Sequence, residues 1–175
     1  MANLGHVLAG YAAVEVGKKA YSDLLAEMVT KPLGMSHTAR ALCDNPSPLC
    51  SEGHNTKGKA IHEMPSGLWT TADDMARFIE AHVGALKVGE RTTKAIQLTH
   101  GELFRVDATH AVGMAWEIWG SGETLRLTKN GVDAGFTSYV AIEPPSHRGV
   151  AVLSNGDGKP PPETLALQLL KLASE

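Results

Sequence analysis

Phe136-Thr137-Ser138-Tyr139-Val140-Ala141-Ile142-Glu143, then Pro144-Pro145-Ser146-His147, then Arg148-Gly149-Val150-Ala151-Val152-Leu153-Ser154-Asn155: two β-rich runs separated by a turn. In the first run Phe136, Ser138, Val140 and Ile142 alternate with Thr137, Tyr139 and Ala141, the two-residue period of a strand with one buried face. The second run is richer still in Val and Ala, and the prolines with Ser and His between them mark a reversal. An antiparallel pair is therefore predicted over 136–143 and 148–155.

Working outward, residues 112–119 and 124–129 flank Gly120-Ser121-Gly122 and read as another pair of strands around a hairpin turn. Pro160-Pro161-Pro162 opens a closing helix with Leu165, Leu169 and Leu172 on one face. Upstream the period is helical. Leu4, Val7, Leu8, Tyr11 and Val14 predict a helix over 3–16, stopped by Gly17. A second is predicted over 22–30, ending ahead of Pro32 because proline disfavours a helical predecessor. Thr70-Thr71-Ala72-Asp73-Asp74 is a helix entry, each Thr having an Asp three residues on. Met75, Phe78, Ile79 and His82 line that helix as far as Gly84, and a short helix follows near 90–98. Residues 36–66, rich in Gly, Pro, Asn and His, read as a long surface excursion.

Helices first, then an antiparallel meander, then a closing helix define an α+β fold. The expected division is a helical portion with a Cys-containing loop over 1–110, and antiparallel strands plus the C-terminal helix over 111–175.

The chain has 175 residues, 43% hydrophobic and 20% charged, with a net charge of -3. This is enough for one ordinary core. Without a basic run or stripe, nucleic acid is not an expected partner. No apolar stretch approaches the roughly 18 residues that span a bilayer, and no leader-like segment is visible. Cys43 and Cys50 bracket Asp44-Asn45-Pro46-Ser47-Pro48-Leu49. They read either as a disulfide closing that loop in an oxidising compartment or as two unpaired thiols in a reducing one. G-x-S-x-G, P-loop, G-x-G-x-x-G and H-E-x-x-H patterns are all absent from the sequence, and no cofactor or metal is expected. The eight histidines lack metal-ligand spacing, so His54 and His62 read as solvated or core residues. Trp69, Trp116 and Trp119 read as packing residues, or for one of them as the rim of a cleft.

The residues with chemistry to offer are Lys129-Asn130-Gly131-Val132. A lysine at a strand end, followed by a small polar residue and Gly, presents an ammonium to an anion. Gly131 lets a ligand lie against the strand, and the next N–H points into the same space. A solvent-facing lysine ahead of a glycine-rich turn has the same composition, and the triplet alone does not separate the two.

The setting does more. Lys129-Asn130-Gly131 resembles the Lys-Thr-Gly box of penicillin-recognising serine enzymes. Gly113-Met114-Ala115-Trp116-Glu117 resembles the Gly-x-Gly-Trp strand of class C β-lactamases, and Gly135-Phe136-Thr137-Ser138-Tyr139-Val140-Ala141 their Gly-Phe-x-x-Tyr-x-Ala strand. Val152-Leu153-Ser154-Asn155 resembles the strand after it. Lys31-Pro32-Leu33-Gly34-Met35 and Ser66-Gly67-Leu68-Trp69-Thr70-Thr71-Ala72-Asp73-Asp74-Met75 resemble two further family segments, and Ala2-Asn3-Leu4-Gly5 the tail of a Tyr-x-Asn motif. The matches come in family order from residue 2 to about 155, and the paired cysteines resemble those of periplasmic carboxypeptidase-endopeptidases of this branch.

The resemblance implies an antiparallel sheet with flanking helices and a serine hydrolase acting on β-lactams, D-Ala-D-Ala peptides or simple esters in the periplasm or outside the cell. It implies that Asn3 orients substrate and catalytic groups, Lys129 supplies positive potential, Asn130 touches the substrate carboxylate, and the Val132 N–H forms half of an oxyanion hole. No Ser-x-x-Lys occurs in the chain. Met1 stands where the motif has Tyr, Asn130 replaces a hydroxyl residue, and Val132 a small one. The chain is therefore expected to be the C-terminal part of such an enzyme, inactive alone. A non-catalytic binding or assembly module on the same scaffold is the competing reading. A sheet short of strands is expected to leave an edge and an apolar face for a second copy or a partner segment.

Overall fold

In the computed structural model, the residues described are 3–39, 51, 53–54, 57–61, 67–133, 135–156 and 159–173. Helix α1 (Asn3–Gly17) packs on α2 (Tyr21–Leu25), which widens into a π-helical turn over Ala26–Thr30 and runs on as α3 (Lys31–Leu33). The predicted stop before Pro32 is thus corrected. The wider turn just upstream makes room for the proline ring and its missing N–H. The helix ends instead at Gly34, whose left-handed φ of 68° caps the last turn.

A two-stranded ribbon of β1 (Gly53–His54) and β2 (Ala60–Ile61) precedes α4 (Ala72–His82) and α5 (Glu90–Thr99). Thr71 is the N-cap of α4, its hydroxyl accepting from the Asp74 N–H at 3.2 Å. The main sheet has six antiparallel strands in sequence order: β3 (Glu102–Arg105), β4 (His110–Gly113), β5 (Glu117–Trp119), β6 (Arg126–Asp133), β7 (Phe136–Glu143) and β8 (Arg148–Ser154). Helix α6 (Pro162–Leu172) closes the chain against β7 and β8.

β7, β8, α4 and α6 lie where the patterns predict. The single strand expected over 112–119 is instead a hairpin, because Ala115 takes a positive φ of 68° and folds β5 back onto β4. Strand β3, ahead of the first strand signal at 111, was not anticipated. The strand expected over 124–129 begins at Arg126, after a short 3-10 turn at Gly122–Thr124, and runs on to Asp133. Lys129 is therefore mid-strand rather than at a strand end.

Two apolar layers hold the sheet. On one face Ile79 of α4 and Val83 just past its end meet Ala111, Trp116, Ile118, Leu127 and Ile142. On the other, Ala166 and Leu170 of α6 meet Tyr139 and Ala141. Leu127, Ala141 and Ile142 are wholly buried. Gly149 permits the close approach of α4, since a Cβ there would lie 2.5 Å from Ile79 Cγ2. β3 and β8 end the sheet, and near β8 the side chains of Leu153, Leu165, Leu169 and Leu172 are exposed.

Candidate active-site groove

The sheet register makes β6 two different strands in one. Arg126, Leu127 and Thr128 pair with Trp119, Ile118 and Glu117 of β5 on one side and with β7 on the other from Leu127 on. β5 ends there. From Lys129 to Asp133 the strand pairs only with β7, Lys129 opposite Val140 through Asp133 opposite Phe136. Its other edge has no strand partner among the described residues. Backbone N–H and C=O groups that point that way are available to an extended ligand.

The alternation of side chains assigns the rest. Leu127 belongs to the α4-side core, so Lys129, Gly131 and Asp133 share that face, and Val140 opposite Lys129 packs there too. Thr128, Asn130 and Val132 share the α6 face, with Tyr139 opposite Asn130. Asn130 is exposed and Val132 75% exposed. The Lys129 ammonium has neither hydrogen-bond nor ion-pair partner among the described residues. An uncommitted cation thus stands beside an open strand edge.

Gly131 is required by its neighbour. A Cβ there would come within 2.6 Å of Ser138 Oγ on β7. At the far end of β6 the Asp133 carboxylate accepts from the Gly67 N–H at 3.2 Å, and Trp69 meets Phe136 edge-to-face at 5.5 Å. These contacts bring the helix-entry segment beside the open half of the strand. That segment is fastened in turn by Asp74, buried at the start of α4. Its Oδ2 accepts from the His37 N–H at 2.8 Å and from Thr38 Oγ1 at 2.7 Å. The backbones of Ala39 and Trp69 bond reciprocally. Residues 37–39, just past the 31–35 segment, and residues 67–74 are thereby tied to β6.

Asn3 is fixed only as the first residue of α1. Cys43 and Cys50 lie outside the described residues. Sequence reasoning missed Asp133, Ser138 and the latch role of Asp74. Asp74 had been read only as a cap partner, and Ser138 only as one of an alternating set. For Asp133 the single signal is its place on the same strand face as Lys129. Two open concavities among the described residues lie elsewhere, one of about 490 Å³ at the opposite end of β6 and one on α5. The open strand edge is a groove wall rather than a closed pocket.

Two imidazoles meet beneath the closed half of the sheet, His82 buried and His100 half-buried. His82 Nδ1 is 2.9 Å from His100 Nε2, with Phe78 and Trp116 around His82. Burial, and secondarily the neighbouring His100, push the His82 pKa down to about 3, and burial lowers that of His100 too.

The Beta-lactamase family model matches residues 2–175. A β-lactamase from Lysobacter lactamgenus is 24% identical over 88% of this chain and 50% of its own length. Among solved structures, a class C β-lactamase superposes with a TM-score of 0.84 at 22% identity, covering 98% of this chain and 56% of that one. A D-alanine carboxypeptidase from Burkholderia cenocepacia gives 0.80 at 21%, covering 94% and 59%. The chain spans about half the length of the curated relatives it matches. With the family model running from residue 2 to the C-terminus over an antiparallel sheet flanked by helices, this chain belongs to the Beta-lactamase family.

Proposed function

We propose that this chain is the substrate-binding, C-terminal half of a serine acyl hydrolase of the β-lactamase and D-Ala-D-Ala carboxypeptidase type, working in the periplasm or outside the cell. The observation that carries the reading is the open edge of β6 with the uncommitted Lys129 cation on it. In this reading a carboxylate-bearing β-lactam or peptide lies along Lys129–Val132. Lys129 supplies positive potential, Asn130 donates its amide to the carboxylate, Gly131 leaves room for the ligand backbone, and the Val132 N–H polarises the scissile carbonyl. Asn3 orients the reacting groups. Donors aimed where charge develops supply several kcal/mol of catalysis, but only once a nucleophile is present. The Ser-x-x-Lys that attacks the carbonyl in the family is not among these 175 residues.

The chain alone is accordingly inactive in acyl transfer. Incubation with a fluorescent penicillin, followed by mass mapping, gives no covalent adduct. A stoichiometric adduct on any residue overturns the assignment of roles. Reversible binding of a D-alanyl-D-alanine peptide, lost on Lys129→Ala, is expected of the same polypeptide.

A second reading, a non-catalytic recognition or assembly module, is favoured by Asn130 and Val132, where the family has a hydroxyl and a small residue. The exposed leucines beside the edge strand β8 suit cover by a second copy or a partner segment. Sedimentation showing a stable monomer at micromolar concentration would count against that.

A further inference from the structure

We infer that the cavity at the other end of β6, remote from the Lys129 edge, is a binding site for a small zwitterion, an amino acid with an apolar side chain. The cavity holds about 490 Å³, ample for such a molecule. It lies where the β5–β6 connection and the β7–β8 turn meet.

One wall is cationic. Among the described residues one carboxylate, Glu143, serves two guanidinium groups: Arg148 Nη2 lies 2.9 Å from its Oε2, while Arg126 Nη1 is 4.0 Å from its Oε1. Arg148 Nε also donates to Ser146 Oγ at 3.1 Å. Arg126 is underused, because its Nε is buried without an acceptor and its nearest anion is beyond hydrogen-bond range. A half-buried guanidinium in that position gains from a second carboxylate. The wall thus carries one positive charge in excess.

The facing turn, Gly122–Thr124, places the exposed Glu123 at the mouth, which offers the complementary charge to an amine. Trp119, 38% exposed, also lines the cavity. It is held rigidly, with its ring stacked on His110 at 4.2 Å and 7° and its Nε1 donating to Thr128 Oγ1 at 3.1 Å. A fixed aromatic surface lining the same cavity as two guanidinium groups and an exposed carboxylate offers partners for the carboxylate, apolar body and ammonium of such a molecule.

Two-dimensional ¹H–¹⁵N spectra of the full chain test this with three probes: phenylalanine, 3-phenylpropionate (no amine) and phenethylamine (no carboxylate). The Trp119 indole signal is assigned by its loss in Trp119→Phe. Phenylalanine is expected to shift that signal saturably, with phenethylamine giving no shift. The double variant Arg126→Gln, Arg148→Gln should bind phenylalanine roughly tenfold more weakly or worse. Glu123→Gln, in an exposed turn that does not threaten folding, should weaken phenylalanine to the level of 3-phenylpropionate. Absence of a saturable Trp119 shift overturns the site. Equal binding of phenethylamine overturns the role of the arginines. Equal binding of phenylalanine and 3-phenylpropionate, unchanged by Glu123→Gln, overturns the zwitterion assignment.

Discussion

The two halves of β6 share one backbone and divide the work of the molecule. In the first half Leu127 and Thr128 are buried and paired on both sides, and Leu127 is at the centre of the α4-side core. In the second, Lys129 to Asp133 keep the β7 ladder but lose β5, and every second side chain there is exposed. The difference comes from three-residue β5 stopping where it does. A strand anchored at one end and open at the other holds a ligand-binding edge rigid without burying it. Stability should therefore reside in the closed half and recognition in the open half, which substitutions can separate.

The largest effect is expected at Leu127. Leu127→Ala removes a wholly buried side chain from contact with α4 and should cost about 2–5 kcal/mol, read as a drop in the denaturant midpoint with unchanged slope. A loss well under 1 kcal/mol would mean that the closed half is not the anchor.

Next is acid. His82 lies under the closed half with its pKa lowered to about 3 from the ordinary 6.5. The folded state therefore prefers the neutral ring, and the unfolded chain takes up the proton first. The stability it contributes is complete above about pH 6.5 and is lost progressively as pH falls from there toward 3. The loss amounts to something on the order of 2 kcal/mol at pH 5, with His100 adding in the same direction. Thermal melts of wild type and His82→Phe between pH 8 and pH 5 check this: the variant's slope should be shallower. Parallel slopes would remove His82 from the account.

Gly131 lies within the open half, and its substitution sharpens the comparison. Gly131→Ala brings a methyl against Ser138 Oγ at 2.6 Å, and turning that short side chain aside should cost about 1 kcal/mol. Most of this should return in the double variant Gly131→Ala, Ser138→Ala, whose coupling a double-mutant cycle measures. If the cost does not return, backbone strain in the open strand is responsible instead.

Much of this architecture was legible because local chemistry and tertiary context agreed. β7 and β8 were readable from alternation at Phe136–Ile142 and the turn at 144–147, and α4 from the Thr71 cap and the Phe78, Ile79 and His82 stripe. What failed did so for identifiable reasons. Ala115 takes a left-handed conformation that nothing in its side chain advertises, so the β4–β5 hairpin was read as one strand. The strand was expected to end at Lys129, whereas β6 runs on through Gly131, whose small size leaves room for Ser138 across the ladder. Lys129-Asn130-Gly131-Val132 was found as a string, yet what gives the string its meaning is where β5 ends. The Asp133–Gly67 and Asp74–His37 contacts join residues 66 and 37 positions apart, separations at which a sequence carries no periodic signal.

The smallest effect on folding is expected at the residue that matters most for recognition. Lys129 sits mid-strand, but its ammonium is bound to nothing among the described residues, so Lys129→Ala should move stability by no more than about 0.5 kcal/mol. Binding of an anionic peptide or β-lactam along the open edge should fall by roughly tenfold or more, since a charge-assisted contact of about 1.5–3 kcal/mol disappears. Lys129→Arg keeps the charge but carries a planar head on a longer reach, so it should restore the electrostatic part of the affinity while disturbing the fit. Raising salt should weaken wild-type binding and leave Lys129→Ala largely unaffected. Were Lys129→Ala instead to unfold the chain, the open half would be bearing the fold, and the division of labour along β6 would be wrong.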